Sequence, residues 1–438
     1  MDSKELYAIY EQHPLITTDS RDCPEGSIFI ALKGDSFDGN RFAAQALEKG
    51  CAVAIVDDEQ VYNDYKGEGQ MVLVPDALQA YKDMAREHRR RFDIPVIGIT
   101  GTNGKTTTKE LVRAVITERY DEMATEGNYN NDVGVPKTLF RLNVQSEIAI
   151  IEMGASHPGD IKTLAETAEP TCGLITNVGK AHLQGFGSLE GVIRTKGELY
   201  DNLASRQDSV IFVNADNPHL MGILPQGVKT ECYTQDEYKQ GADVYGQLIA
   251  CDPFLRFMWR SGASNEWHEV TTHLIGSYNL DNALAAVTVG LHFDITPQQI
   301  CHALENYVPS NNRSQLTETE HNHLIVDAYN ANPTSMAAAL DNFCLMDVAP
   351  KMAILGEMRE LGASSREEHE RMVEKLNSCH FNEVWLVGDE FKDIDCPYRK
   401  FDDVEQVKAA IAAHRPEDRY ILIKGSNGNR LFQLPELL

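Results

Sequence analysis

Basic residues are scarce in this chain. Lys and Arg number 40 against 66 Asp and Glu, which gives a formal net charge of −26. The longest cationic run is the triplet Arg89, Arg90 and Arg91, which is typical of a solvated helix end. Because a nucleic-acid backbone is bound by a basic stripe or patch, the composition argues against a nucleic-acid partner.

Paired cysteines are also missing. The nine cysteines are scattered along the chain, and no two of them form a C-x-x-C pair. Zinc sites and small disulfide-stapled folds are recognised by such regular spacings. The sequence therefore predicts neither a zinc site nor a disulfide framework. It predicts reduced thiols in a cytoplasm.

Long apolar runs are absent as well. A transmembrane helix needs about 18 or more consecutive apolar residues, and the sequence contains no such run. The first residues, MDSKELYAIYEQH, lack the basic and then apolar profile of a signal peptide. We therefore expect a cytoplasmic protein without membrane insertion.

The chain does contain enough apolar residues for a sizeable core. Its 438 residues, 42% of them hydrophobic, allow about three domains of roughly 150 residues each. Short β-like runs at 27–32, 52–56 and 71–74, with a helical pattern at 40–49, predict a small α/β domain over residues 1–85. A polar helix at 77–92 then leads to Pro95, a natural boundary.

Two further α/β domains are predicted downstream. Over residues 86–310, apolar runs at 96–100, 149–153, 172–178 and 210–214 alternate with helical patterns, which predicts a mostly parallel sheet covered by helices. The weaker β-runs of 215–270 predict a side excursion from that sheet. Over residues 311–438, runs at 324–330, 352–358, 384–389 and 420–426 predict a Rossmann-like, doubly wound domain.

The sequence VIGITGTNGKT at 96–106 carries the strongest chemical signal. A β-run enters a glycine-rich loop and a helix begins directly after it, an arrangement that turns backbone N–H groups around a polyphosphate. Only two residues separate the glycines, where the general P-loop has four. The predicted phosphate cradle comprises Gly101, Thr102, Asn103, Gly104, Lys105, Thr106 and Thr107.

Other polar residues stand where strands end, and each has two interpretations. Glu152 is either an Mg²⁺ ligand or an ordinary capping or salt-bridging group. His182 lies in a glycine-dense loop and could be a plain surface histidine, and Lys196 lies in a helical pattern that favours a solvated lysine. Asp327 could cap a helix or bind ribose or substrate. Lys424 could bind an anion or simply end a strand.

Several segments together resemble one family. They are GTNGKTTTKEL, GNYNNDVGVP (127–136), IEMGASHPGDI (151–161), NVGKAHLQGFGSLEGVIRTKGELY (177–200) and GSYNLDNALAA (276–286). In this order they resemble the ATP-dependent Mur ligases of peptidoglycan synthesis, whose short loop reads G-x-x-G-K-T. The resemblance covers essentially the whole chain.

The resemblance implies an activity and its partners. The segments 327–340 and 355–362 and the N-terminal TDSRDCPEGSIFIALKGDSFDGNRF resemble the member that adds D-alanyl-D-alanine to UDP-MurNAc-tripeptide through an acyl phosphate. The alternative is a family member that adds a single amino acid. The family implies a UDP-substrate-binding N-terminal domain, a central ATPase domain, a C-terminal domain that closes over ATP and dipeptide, and a monomer.

Residue roles follow from the resemblance alone. It implies that Lys105 and Thr106 hold phosphates and one Mg²⁺, and that Glu152, His182 and a carbamylated Lys196 hold a second Mg²⁺. It assigns ATP contacts to Asn279, Asn282, Arg313 and Asp327. It assigns substrate contacts to Ser20, Arg21, Lys33, Gly34, Asn130, Asn131, Tyr329, Asn330 and Lys424.

Overall fold

The computed structural model describes residues 1–34, 36–309 and 315–438. Arg313, expected to contact ATP, lies outside these ranges. The N-terminal elements are α1 (Ser3–Gln12), β1 (Ile16–Thr17), β2 (Ile28–Ile30), β3 (Lys33–Gly34), β4 (Phe37–Asp38), α2 (Ala43–Glu48), β5 (Val53–Val56), α3 (Glu59–Asp64), β6 (Gln70–Leu73) and α4 (Ala77–Arg89).

The middle of the chain alternates strands and helices before a run of strands. Its elements are β7 (Val96–Thr100), α5 (Lys105–Thr117), β8 (Glu122–Ala124), α6 (Gly134–Leu139), β9 (Ile148–Glu152), α7 (Asp160–Ala168), β10 (Cys172–Ile175), α8 (Leu183–Phe186), α9 (Leu189–Ala204), β11 (Val210–Asn214), α10 (Pro218–Gly222), β12 (Lys229–Thr234), β13 (Val244–Cys251), β14 (Phe254–Ser261), β15 (His268–Ile275), α11 (Asn279–His292) and α12 (Pro297–Asn306).

The C-terminal part returns to an alternation of strands and helices, apart from two pairs of consecutive strands. Its elements are β16 (Gln315–Glu318), β17 (Asn322–Asp327), α13 (Pro333–Leu345), β18 (Lys351–Gly356), α14 (Ser365–Cys379), β19 (Glu383–Val387), β20 (Arg399–Phe401), α15 (Val404–Ala413) and β21 (Arg419–Lys424). Short 3₁₀ turns complete the chain, among them Gly362–Ser364 before α14 and Asn427–Asn429 after β21.

The described chain divides into two compact units. The first comprises Met1–Gly98, Met123–Met153 and Lys162–Pro170, and the second comprises Ile99–Glu122, Gly154–Ile161 and Thr171–Leu438. Strand β7 contributes its first residues to the first unit and its last residues to the second. The predicted domain boundaries at 85 and 310 stay a prediction.

A four-stranded parallel sheet, with the order β1-β2-β5-β6, organises the N-terminal part of the first unit. Successive side chains of a strand point to opposite faces. Ile28 and Ile30 of β2 accordingly pack with α1 and α4, whereas Phe29 packs with α2 on the other face. Both faces are covered, as the predicted α/β domain requires.

A nine-stranded sheet passes through β7, with the order β15-β14-β13-β12-β11-β10-β7-β9-β8. Pairing is parallel from β10 through β13 and antiparallel from β13 through β15. The prediction of a side excursion over 215–270 was wrong, because β12 to β15 extend the sheet. Long hairpins with half-exposed, alternating side chains have weaker apolar runs than buried parallel strands.

The C-terminal sheet has the order β16-β17-β21-β18-β19-β20 and is parallel except for the edge strand β16. Leu422 of β21 packs on the face covered by α13 and α14, and Ile421 and Ile423 pack on the face covered by α15. Helices on both faces confirm the predicted doubly wound domain. The α/β fold class is therefore confirmed.

One cysteine pair departs from expectation. Cys344 near the end of α13 and Cys379 at the end of α14 form a disulfide with Cα atoms 5.5 Å apart, and the other seven cysteines, all in the described ranges, form no disulfide. The prediction of reduced thiols was wrong for this pair, because packing of α13 against α14 joins residues 35 positions apart. Within the described ranges, no helix is both long and apolar enough to cross a membrane.

Candidate active site

The predicted phosphate cradle, residues 101–107, consists of the loop after β7 and the first turn of α5 and is called the phosphate loop below. Its conformation depends on two glycines. Gly101 and Gly104 have φ values of 146° and 77°, a region that residues with a side chain rarely adopt. A Cβ at Gly101 would lie 2.0 Å from Oγ1 of Thr176, and a Cβ at Gly104 would lie 2.6 Å from Oδ1 of Asn282. Each of the two positions therefore requires glycine for two reasons, the backbone conformation and the lack of space for a Cβ atom.

The segment after β10 braces this loop. The backbone N–H of Asn103 donates to Oδ1 of Asn177 at 2.9 Å, and the N–H of Thr102 donates to the Asn177 carbonyl at 2.9 Å. Thr176 Oγ1 donates to the Asn103 carbonyl at 2.6 Å. Sequence reasoning missed Thr176 and Asn177 as parts of the site, although Asn177 opens the quoted segment NVGKAH.

Lys105 is folded back onto the loop. Its Nζ donates to the carbonyls of Gly101 and Thr102 at 2.9 and 3.0 Å. Helix α5 begins at Lys105, after Gly104, which has no side chain that could cap the first turn. Thr106 is buried and Thr107 is half-buried in this turn. A helix start without a side-chain cap, next to an ammonium group, is suited to an anion.

Asn279 and Asn282 lie behind the loop. Asn282 Oδ1 accepts from Thr108 Oγ1 at 3.0 Å, and its Nδ2 donates to Oδ1 of Asn279 at 2.8 Å. Asn279 Nδ2 in turn donates to the Ile275 carbonyl at 2.8 Å. Both side chains are buried. In this structure these amides connect α11 to the loop and to α5.

Lys196 is a buried amine in α9. Only 2% of the residue is exposed, so the interpretation as a solvated lysine was wrong. Burial lowers the pKa of Lys196 well below its usual value, and the charge of Lys105 lowers it further, against the opposing effect of Asp160 and Glu198. Its Nζ lies 5.5 Å from the centre of the Phe186 ring.

His182 stands at the start of α8 in a left-handed conformation, with φ of 49°. Its Nδ1 contacts the carboxylate of Glu360, which follows β18. Burial lowers the pKa of His182 below its ordinary value, although the Glu360 carboxylate acts in the opposite direction. Sequence reasoning quoted the segment of Glu360 but did not single this residue out.

Glu152 ends β9 in the first unit and is 1% exposed. Asn130 Nδ2 donates to its Oε1 at 2.8 Å, so the structure brings these two predicted residues together. Asn131 instead accepts the N–H of Gly134 and so starts α6. Within residues 1–34, 36–309 and 315–438, no three His, Cys, Asp or Glu side chains form a metal-binding cluster.

The C-terminal sheet brings two further predicted residues together. Asp327 and Lys424 end the adjacent strands β17 and β21 in register, and Lys424 Nζ donates to an Asp327 carboxylate oxygen. The same Nζ lies 3.4 Å from the carbonyl of Asn330. Asn330 and Tyr329 are exposed. The ion pair is the arrangement that a buried lysine requires.

Asn332 connects this region to the phosphate loop. Its Nδ2 donates to Oδ1 of Asn103 at 2.7 Å, while its Oδ1 caps α13 through the N–H of Ser335 at 2.9 Å. From the sequence, Asn332 is either a capping residue or part of a segment for ribose or substrate recognition, and the pattern of residues 327–333 favours recognition. The contact with Asn103 spans 229 positions and carries no sequence signal.

The predicted uridine-side residues lie in the first unit. Lys33 Nζ pairs with Asp57 at 2.8 Å, and Arg21 pairs with Asp19 at 2.7 Å on the surface. Ser20 offers its carbonyl to Lys49 at 2.6 Å. Gly34 is exposed beside Lys33 in β3. These residues share the N-terminal α/β region without forming one hydrogen-bonded cluster.

Family models match three consecutive segments of the chain. They are the Mur ligase family catalytic domain over residues 14–89, the Mur ligase middle domain over 99–290, and the Mur ligase glutamate ligase domain over 312–427. The chain belongs to the Mur ligase family.

Individual relatives resemble the chain over most of its length. The UDP-N-acetylmuramoyl-tripeptide–D-alanyl-D-alanine ligase of Bacillus subtilis is 33% identical, over 86% of this chain and 81% of that protein. The crystal structure of MurF from Acinetobacter baumannii is 28% identical with a TM-score of 0.88, over 99% of this chain and 97% of that one. MurF of Thermotoga maritima in complex with ADP is 26% identical with a TM-score of 0.87, over 100% and 98%.

Proposed function

We propose that this chain joins D-alanyl-D-alanine to UDP-N-acetylmuramoyl-tripeptide, with ATP as the energy source. The glycine loop that is bonded to the C-terminal Asn332 is the observation that carries this proposal, because it puts phosphate-binding and C-terminal groups in one site. The name of the Bacillus relative and the ADP complex of the Thermotoga relative support it. They favour the dipeptide over a single amino acid as the acceptor.

The residues present fit a nucleoside triphosphate. The ammonium of Lys105 donates to two backbone carbonyls, and phosphate oxygens are stronger acceptors for such a group. The glycine conformations keep the backbone free of Cβ atoms where phosphates would approach. We assign the phosphates to residues 101–107, and Asn279, Asn282, Arg313 and Asp327 to the remainder of the nucleotide.

Thr106 and Glu152 offer the oxygen ligands that Mg²⁺ prefers, and this ion keeps several waters and needs only one or two protein carboxylates. We assign the Thr106 hydroxyl to one ion, and Glu152 and His182 to a second. Bound Mg²⁺ would offset negative charge on the transferring phosphoryl group. Asn130 holds the Glu152 carboxylate in a fixed orientation.

The environment of Lys196 supports the proposal that this lysine is carbamylated. A neutral amine attacks CO₂, forms an N–C bond and releases one proton, and the product carries a carboxylate. Burial keeps the Lys196 amine neutral at a pH where an exposed lysine is charged. We propose that the resulting carbamate supports the second Mg²⁺ and removes the repulsion that a charged ammonium would have toward Lys105.

In the proposed reaction, the terminal tripeptide carboxylate attacks the γ-phosphate and ADP leaves. The amine of D-alanyl-D-alanine then attacks the acyl phosphate, forms the amide and releases phosphate. Lys105 stabilises charge on the transferring group. Because water would hydrolyse an acyl phosphate, contacts such as Asn103 to Asn332 serve to exclude it.

We assign substrate binding to three groups of residues. Ser20, Arg21, Lys33 and Gly34 would hold the UDP part, and Asn130 and Asn131 would lie toward the peptide. Tyr329, Asn330 and Lys424 would hold the dipeptide. The three proposed domains, 1–85, 86–310 and 311–438, agree with the family-model segments. We propose that the enzyme is cytoplasmic, because its proposed substrates are nucleotide-linked. The family resemblance implies a monomer.

Phosphate release tests the proposal. The purified chain is assayed with ATP, Mg²⁺ and UDP-MurNAc-tripeptide, with D-alanyl-D-alanine, D-glutamate or L-alanine as acceptor. We expect phosphate release to depend on both the tripeptide and the dipeptide, with the amide product detected by mass spectrometry. Release stimulated by a single amino acid but not by the dipeptide would overturn the assignment. Release that needs neither substrate would indicate a plain ATPase.

A further inference from the structure

The segment after β18 contacts the loop that carries His182. The Glu360 carboxylate contacts Nδ1 of His182, and the Glu360 carbonyl accepts the N–H of Gln184 at 3.3 Å. Nearby, Lys180 Nζ pairs with the Glu368 carboxylate at 2.7 Å. Glu360 therefore holds this loop through both its side chain and its backbone.

Both partners of the side-chain contact have an unfavourable backbone. His182 has φ of 49° and Glu360 has φ of 63°, and neither is glycine. The left-handed conformation is unfavourable for a residue other than glycine, because Cβ comes close to the backbone. Two such positions meeting through their side chains indicate that the surrounding structure imposes this geometry. Strain of this kind is concentrated at functional sites.

The contact adds little to stability. The Glu360 side chain is 58% exposed and that of His182 is 32% exposed. Ion pairs with this much exposure contribute little to the free energy of unfolding, because solvent screens them. Glu360 is also distinct from the neighbouring ion pair, in which Arg359 Nε lies 3.4 Å from the Glu357 carboxylate. What the contact does engage directly is Nδ1 of the imidazole ring.

A histidine that binds a metal through one ring nitrogen commonly donates its other N–H to a carboxylate. That partner sets the tautomer and the ring orientation. We propose that Glu360 is a positioning residue, which fixes His182 with Nδ1 protonated and Nε2 available to Mg²⁺. This inference rests on the proposed role of His182 and extends it to a residue of the C-terminal domain.

The first experiment measures magnesium-dependent nucleotide binding rather than catalysis. Binding of β,γ-methylene-ATP to the full chain is followed by calorimetry while Mg²⁺ is titrated. We expect Glu360→Ala to raise the half-saturating Mg²⁺ concentration about 10-fold, the lower end of effects seen at such partners. Glu360→Gln keeps a hydrogen-bond acceptor, so its half-saturating Mg²⁺ concentration is expected to lie between those of the wild type and Glu360→Ala. Analogue affinity in EDTA and the thermal midpoint stay unchanged.

Glu370→Gln is the matched control. Glu370 lies on α14 and pairs with Arg366 at 2.8 Å on the surface, so its loss leaves Mg²⁺ half-saturation unchanged. In a His182→Ala background, Glu360→Ala is expected to produce no further shift. A full shift in that background, or no shift in the single variant, would overturn the inference. Neither assay uses D-alanyl-D-alanine, so failure of the proposed ligase activity is scored separately.

Discussion

Gly104 combines a backbone conformation and a close contact that a residue with a side chain could not readily accommodate together. Its left-handed backbone starts α5, and its missing side chain leaves room for Oδ1 of Asn282. That oxygen is itself held by Thr108 at 3.0 Å. A side chain at this position would have to displace a hydrogen-bonded, buried amide. The loop and its supporting amides therefore form one rigid arrangement.

Gly104→Ala is expected to abolish most nucleotide affinity. The left-handed alanine costs about 1–2 kcal/mol and the Cβ clash adds to it, so the dissociation constant of an ATP analogue should rise at least about 10-fold. Gly222→Ala is the control, because a Cβ at Gly222 meets no atom within 4 Å. Calorimetry measures both variants. Unchanged analogue affinity in Gly104→Ala would show that the loop adapts to the side chain.

At the scale of elements, α13 begins at the phosphate loop and ends at a disulfide. Its N-cap residue Asn332 contacts Asn103, and Cys344 near its last turn is bonded to Cys379 of α14. Pro333 at the first helical position and the capping box with Ser335 fix where the helix starts. The same amide therefore has a local and a long-range role.

Substitutions of Asn332 separate these two roles. Asn332→Ala removes the cap and is expected to lower the free energy of unfolding by about 1 kcal/mol. Asn332→Ser keeps a capping oxygen but is too short to reach Asn103, so stability should be retained. Both variants lose one hydrogen bond to the loop, and analogue affinity should fall about 5-fold. Urea unfolding and calorimetry distinguish the effects. Wild-type affinity in the serine variant would contradict the long-range role.

At the scale of the whole molecule, stability is coupled to pH through Lys196. The unfolded chain holds this lysine protonated up to its ordinary pKa near 10.5, whereas burial lowers the pKa in the folded state. Between these two pKa values the unfolded state binds one more proton, so the free energy of unfolding rises with pH. Neutral Lys196 is therefore a cost to stability that shrinks as the pH approaches 10.5.

Lys196→Met tests this linkage. Urea unfolding in CO₂-free buffer measures this effect. Between pH 8 and pH 10, the free energy of unfolding of the wild-type protein should increase by on the order of 1–2 kcal/mol more than that of the variant. Lys162→Met, at a lysine whose side chain is 69% exposed, should keep the wild-type slope. Bicarbonate should stabilise only proteins that retain Lys196. Equal slopes in the wild type and Lys196→Met would contradict a neutral buried amine.

Local patterns in the sequence determined the α/β alternation, the glycine spacing of the phosphate loop and the polar residues at strand ends, because these follow from strand and turn chemistry. Only the tertiary structure decided which side chains are buried and which distant residues meet. Lys196 has the helical surroundings of a solvated lysine, yet packing of α9 buries it. Glu360 meets His182 across 178 positions, and Cys344 meets Cys379 across 35. Such contacts depend on how whole elements pack, which no short stretch of sequence specifies.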